Sequence, residues 1–120
     1  MTGSIWSSKE HRQDLYNDCL DHWGATAQTD MLVEELAELI VAVQKYTKRK
    51  ATYDNFNHMA EEMADVLLMI EEMALHFDNE GHDEAAKPFT ELVADWMVFK
   101  CNRTEQRLAE SIAETYPEIQ

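Results

Sequence analysis

The sequence predicts an all-α domain, and three observations carry that prediction. Only 3 Gly and 2 Pro occur in 120 residues, too few for the many tight turns of a chain of short strands. Seven Met, with abundant Leu, Ala, Glu and Gln, favour helix. Apolar residues recur at three- and four-residue spacing, and no segment alternates as a half-buried strand does. A chain of this length holds one core, so a single domain over residues 1–120 is expected.

Four main helices follow in order. The first is expected from Ser8 to His22, with Ser7 or Ser8 as N-cap and Gly24 as its stop. Leu15, Cys19, Leu20 and Trp23 recur along it at helical spacing. The second runs from Thr26 or Thr29 to Lys48. Lys45, Lys48, Arg49 and Lys50 gather at its end, where the helix dipole is negative. The third starts at Asp54 or Asn55, both good N-caps, and continues to Phe77 ahead of Asn79 and Gly81. The fourth begins between Asp83 and Thr90, accepts Pro88 near its first turn, and ends at Thr115 before Pro117.

Charge narrows the function. Ten Lys and Arg face 24 Asp and Glu, a formal net charge of −14. Phosphate backbones and anionic lipid repel such a chain, so neither a nucleic-acid polymer nor a membrane is an expected partner. No apolar run approaches the ~20 residues a bilayer-spanning helix needs. The opening MTGSIWSSKEHRQ lacks the basic-then-apolar order of a signal peptide, so a cytoplasmic location is expected. Cys19 and Cys101, without metal-ligand spacing, read as reduced core or near-core thiols. Part of the acidic excess is expected to await divalent cations, through which an acidic protein can hold a polyphosphate.

The two central helices carry an internal echo. Glu34-Glu35-Leu36-Ala37-Glu38-Leu39-Ile40 is answered by Glu61-Glu62-Met63-Ala64-Asp65-Val66-Leu67, acid for acid and apolar for apolar. At ~100° per residue, Glu35 lies roughly 85° and Glu38 roughly 145° from the centre of the stripe Leu32, Leu36, Leu39, Ile40 and Val43. Glu62 and Asp65 take about the same two offsets, on the same side, beside the stripe of Met59, Met63, Val66, Leu67, Ile70, Ala74 and Phe77. Packed antiparallel, two such helices would bring four carboxylates together at the rim of the core. Like charges so close repel, and a divalent ion with hard oxygen ligands, Mg²⁺ or Mn²⁺, relieves that repulsion.

Glu34-Glu35-x-x-Glu38 followed by Glu62-x-x-Asp65 resembles the EExxE…ExxD signature of the all-α nucleoside triphosphate pyrophosphohydrolases. That superfamily includes MazG, the dimeric dUTPases, the dCTP pyrophosphatases and the phosphoribosyl-ATP pyrophosphohydrolases. His22-Trp23-Gly24 and Met31-Leu32-Val33, ahead of the motif, are similar to the MazG-like branch. The resemblance covers Asp21 to Met73 well and the last third loosely.

The resemblance implies a helical bundle that completes its core by oligomerising, as a homodimer or homotetramer. It implies Mg²⁺-dependent hydrolysis of a (d)NTP to the monophosphate and pyrophosphate, in a house-cleaning or pool-balancing role. Glu35, Glu38, Glu62 and Asp65 would then hold the metal, and Glu38 or Glu35 would take the proton of the attacking water. For the triphosphate, Lys100, Asn102, Arg103 and Arg107 form the basic cluster of the C-terminal half, with Lys100, Arg103 and Arg107 on one helix face. Relatives carry a Lys, an Asn and an Arg at different spacing. Trp23, Trp96, Tyr53, Phe56, Tyr46 and Trp6 are the aromatic groups available to stack on a base, with Trp23 preferred.

Two other classes remain open on the residues. A di-iron carboxylate protein needs Glu-x-x-His pairs, which His58 and His76 do not form. A non-catalytic adaptor or nucleotide-sensing dimer would use the same acidic faces for solubility alone. Within the superfamily, a diphosphate or a phosphoribosyl nucleotide is also an open substrate.

Overall fold

The computed structural model describes residues 8–82 and 87–119, and no strand occurs among them. Trp6, Ser7 and Asp83 lie outside the described residues. Four α-helices follow in order: α1 Lys9–Trp23, α2 Ala25–Gln44, α3 Tyr53–Asp78 and α4 Phe89–Thr115. The contacts divide the chain into two compact units, Met1–Glu80 and Gly81–Gln120. None of the described helices is long and apolar enough to cross a membrane.

In the first unit, Ser8 caps α1, its hydroxyl accepting from the His11 backbone N–H at 3.3 Å. Gly24 then turns the chain in one residue, at φ 88° and ψ 156°, a conformation essentially reserved for glycine. Its N–H donates to the Leu20 carbonyl at 2.9 Å to close α1. Its carbonyl accepts from the Gln28 N–H at 3.2 Å to open α2. For this reason α2 starts at Ala25, earlier than the Thr26 or Thr29 expected from sequence.

The α-helical geometry of α2 ends at Gln44, and Lys45–Arg49 form a wider π-helical turn. The basic cluster therefore occupies that turn rather than the last α-helical residues. The N-cap of α3 is Thr52, not Asp54 or Asn55. Thr52 is extended (φ −92°, ψ 160°), and its hydroxyl accepts from the Asn55 N–H at 3.2 Å. Asn55 instead donates its side-chain amide to the Lys50 carbonyl at 2.9 Å, and Asp54 sits in the first turn, where a negative charge suits the dipole.

Three helices make the core of this unit around Tyr16, Ala42, Val66 and Met73. Arg12 and Tyr16 of α1 converge on Glu71 of α3. Arg12 Nε and Nη2 donate to the two carboxylate oxygens at 2.9 and 3.2 Å, and the Tyr16 hydroxyl donates at 2.9 Å. Along α2 and α3, Gln28 meets Glu72, Glu35 meets Asp65, and Glu62 meets Glu38. The numbers of each pair sum to 100, which is the register of an antiparallel pair of helices. The residues used on α2, 28, 35 and 38, are spaced by seven and three, so one face carries all of them.

That register brings Glu35, Glu62 and Asp65 together where α2 and α3 meet, with Glu62 buried and Glu38 left exposed, while much of the apolar stripe is open: Ile40 is 64% and Leu67 56% exposed. In the second unit, α4 follows Pro88 at the N-cap position, and Lys87 reaches Asp95 at 2.8 Å across its first turns. No residue of α4 is buried. Cys19 is half-buried, as expected, but Cys101 is exposed on α4 and is not a core thiol.

Candidate functional site

The seam concentrates charge where the helices meet. Each of Glu35, Glu62 and Asp65 offers one carboxylate oxygen, and these atoms lie within 4.8 Å of one another. The three-residue step from Glu62 to Asp65 puts both on one face of α3, opposite Glu35 of α2. Glu62 is only 7% exposed, Glu35 and Asp65 are half-buried, and Glu38 is exposed at the side of the cluster.

Their electrostatics agree with the crowding. Burial, followed by the charges of Asp65, Glu38 and Glu62, raises the Glu35 carboxyl above the usual carboxylate range. Burial, followed by Glu38 and Asp65, raises Glu62, with His58 opposing. The Oε2 atoms of both Glu35 and Glu62 are buried without a hydrogen-bond partner. An orphaned buried carboxylate oxygen is costly, and two in one cluster call for a shared positive charge.

The donor set fits a hard divalent cation. All three groups supply oxygen, as Mg²⁺ and Mn²⁺ prefer. An octahedral ion with bonds of about 2.1 Å holds opposite ligands about 4.2 Å apart, so ligand atoms within 4.8 Å need little inward movement to share one.

His58 belongs to the neighbourhood although its spacing excluded it as a Glu-x-x-His ligand. One helical turn before Glu62, its Nε2 lies 3.7 Å from Glu62 Oε1, and its Nδ1 lies 4.0 Å from Glu61 Oε1. His58, Glu38 and Glu62 line one open depression with Ala37 and Val41. The signal for it in sequence was the i, i+4 step to Glu62, which weighs only once Glu62 is known to be buried. Glu34 and Glu61 remain exposed.

A second pair went unnoticed in sequence. Glu72 is 3% exposed and Gln28 7%, and they meet two turns along the seam from Asp65 and Glu35. A carboxylate only accepts, so the Gln28 amide nitrogen faces it and donates at 2.5 and 3.2 Å to its two oxygens. Both residues line a cavity of about 390 Å³ among α1, α2 and α3, together with Trp23. Trp23 is exposed and packs edge-on against His22, with ring centroids 5.2 Å apart.

The expected phosphate-binding residues all lie on α4. Lys100, Asn102, Arg103 and Arg107 are exposed there, and the Arg103 guanidinium sits 5.8 Å over the Phe99 ring. Of the aromatic groups, Tyr46, Phe56 and Tyr53 form their own cluster, with ring centroids 5.4 and 6.4 Å apart, and Trp96 packs on Phe99 at 5.6 Å.

A family model, the MazG nucleotide pyrophosphohydrolase domain, matches residues 24–103. Comparisons with curated proteins and with solved structures found no match. The matched stretch is two-thirds of the chain; it contains both carboxylate pairs and ends at Arg103 on α4. With that span and an all-helical fold, the chain belongs to the MazG nucleotide pyrophosphohydrolase domain family.

Proposed function

We propose that this chain hydrolyses a (deoxy)nucleoside triphosphate to the monophosphate and pyrophosphate, using Mg²⁺, or Mn²⁺ in its place. The observation that carries the reading is the seam cluster, with its two buried and unpartnered carboxylate oxygens. Glu35, Glu38, Glu62 and Asp65 would hold the ion. When bound, it would polarise the phosphate oxygens and make a bound water more acidic.

The chain's own residues then divide the work. Glu62, buried, and Glu35, half-buried, would fix the cation-binding oxygens at the seam. Glu38 is exposed beside them and takes the water proton, Glu35 being the alternative base. The water oxygen bonds to the α-phosphorus, the bond from that phosphorus to the bridging oxygen breaks, and pyrophosphate leaves. Lys100, Asn102, Arg103 and Arg107 are proposed as donors to the triphosphate, and Trp23 as a stacking surface for the base.

The same reading takes residues 1–120 as one functional domain that acts in the cytoplasm as a homodimer or homotetramer. The exposed apolar residues support association: Ile40, Val41 and Leu67 of the first unit are 64%, 65% and 56% exposed.

The test is pyrophosphate release from a panel of (d)NTPs with Mg²⁺, with Mn²⁺, and with EDTA. Metal-dependent release from some or all of them is expected. A folded, Mg²⁺-binding protein that releases none would overturn the reading in favour of a nucleotide sensor or a non-triphosphate substrate.

A further inference from the structure

We infer that the cavity among α1, α2 and α3 is the base pocket of the proposed site and that it selects guanine. The inference rests on the nucleotide reading above and adds to it the residues that choose the base.

Position comes first. Gln28 is seven residues before Glu35, and Glu72 seven after Asp65. Seven residues are about two helical turns, so each polar residue shares a face with its carboxylate and stands about 10.5 Å along the seam from it. That is the direction and scale on which a nucleotide extends from its α-phosphate across the sugar to the base. A cavity of about 390 Å³ opens at this place, within the roughly 300–1,000 Å³ of small-molecule sites.

The lining is of the kind a flat heteroaromatic ring takes. Leu15, Met31 and Met69 offer apolar surface, and Trp23 offers an exposed indole. Against this background Gln28 and Glu72 are anomalous, being buried, polar and deep in the seam. No Lys or Arg is among the lining residues; the Glu72 carboxylate accepts from the neutral amide of Gln28 and lies near the Cys19 thiol. Burial pushes its carboxyl up. A neutral amide compensates a buried carboxylate incompletely, and a ligand that brings N–H donors completes the set.

The donor pattern picks the base. A carboxylate presents two acceptor oxygens side by side. Guanine presents two N–H donors side by side, ring N1–H and exocyclic N2–H, and its O6 can accept the second N–H of Gln28. Thymine and uracil place a carbonyl on each side of a single N–H, so a carbonyl oxygen faces the carboxylate. Adenine and cytosine pair one amino donor with a ring nitrogen lone pair, which meets a carboxylate oxygen with repulsion. A site built to hydrogen-bond one edge rejects the others more strongly than an apolar pocket does.

The experiment has two arms on the full chain, the first with Mg²⁺ and the second without metal. In the first, kcat/KM for pyrophosphate release is compared for dGTP, dATP, dCTP and dTTP. Guanine should lead thymine by about 100-fold, and Glu72→Gln should erase that lead. In the second, saturation-transfer NMR follows 2′-deoxyguanosine and thymidine, which carry no phosphate. Signal for deoxyguanosine only, lost in Glu72→Gln, is expected.

Met31→Trp, which adds bulk at a lining position other than the polar pair, should also abolish the nucleoside signal and serves if Glu72→Gln does not fold. Turnover without base preference, together with no Glu72-dependent nucleoside binding, overturns the base pocket and leaves the hydrolase reading standing. Glu72-dependent deoxyguanosine binding with no triphosphate turnover overturns the hydrolase reading and supports the pocket.

Discussion

Replacing Asp65 with Asn should make the metal-free protein more stable and the Mg²⁺-loaded protein less stable than the parent. Glu35 and Asp65 have ligand oxygens within 4.8 Å. Two like charges at that distance repel by about 3.5 kcal/mol at an effective dielectric constant near 20. Both side chains are half-buried, so solvent screening reduces the relief from neutralising one of them to about 1 kcal/mol. For a domain of this size that corresponds to a rise of roughly 4 °C in Tm. In Mg²⁺ at about 100 times its Kd, the parent gains about 2.7 kcal/mol, enough to reverse the order. The assay is thermal unfolding by circular dichroism at constant ionic strength, in EDTA and across a Mg²⁺ titration. Two crossing stability curves are expected. A lower Tm for Asp65→Asn in EDTA would show that no repulsion is stored there. An equal Mg²⁺ response in both proteins would remove Asp65 from the metal site.

Three further outcomes follow from other parts of the molecule. The Arg12–Glu71–Tyr16 junction should give stability two pH limits, read as urea midpoints of parent and variants. Glu71 is held below its ordinary value, first by the Arg12 bond and against the opposing effect of burial; its contribution, about 1 kcal/mol or less because it is part-exposed, is present above the unfolded carboxyl range and lost as pH falls through the folded value. Tyr16 is pushed up to about 12, first by burial and then by Glu71, so its contribution is full below pH 10 and lost as pH rises toward 12. Tyr16→Phe should remove that alkaline loss, and an unchanged profile between pH 10 and 12 would contradict it. Gly24→Ala should cost about 1–3 kcal/mol by denaturant titration. Nothing lies within 4 Å of an added Cβ, so the whole cost comes from a side chain at φ 88°; a neutral result would mean that the one-residue turn relaxes freely. Arg103→Ala should raise KM for the triphosphate by about tenfold without changing Mg²⁺ affinity, the loss of a charge-assisted hydrogen bond. An unchanged KM would remove Arg103 from the phosphate contacts.

Helix number, type and approximate limits were written in local chemistry. Ser8, Gly24 and the scarcity of turn residues act over a few positions, and periodicity needs no partner to be read. The carboxylate echo was legible for the same reason: spacings of three and seven fix which side chains share a face of one helix. What a single helix does not contain is the angle at which it meets the next. The apolar stripes of Leu36 and Ile40 and of Met63 and Leu67 suggested a closed core with the carboxylates gathered at its rim; three of the carboxylates do gather, but Glu62 is buried between the helices and those stripes are open. Capping of α3 by Thr52 depended on where the π-helical turn of Lys45–Arg49 released the chain, which propensity does not anticipate. Gln28 and Glu72 show the limit most plainly. Each is an ordinary helix residue, 44 positions from the other. Only when α2 and α3 pack antiparallel, and α1 closes over them, do the two become one buried hydrogen-bonded pair. Sequence determined the helices and the faces that carry the acids. Tertiary structure decided which faces meet, because burial and electrostatic coupling are properties of pairs of surfaces and not of either alone.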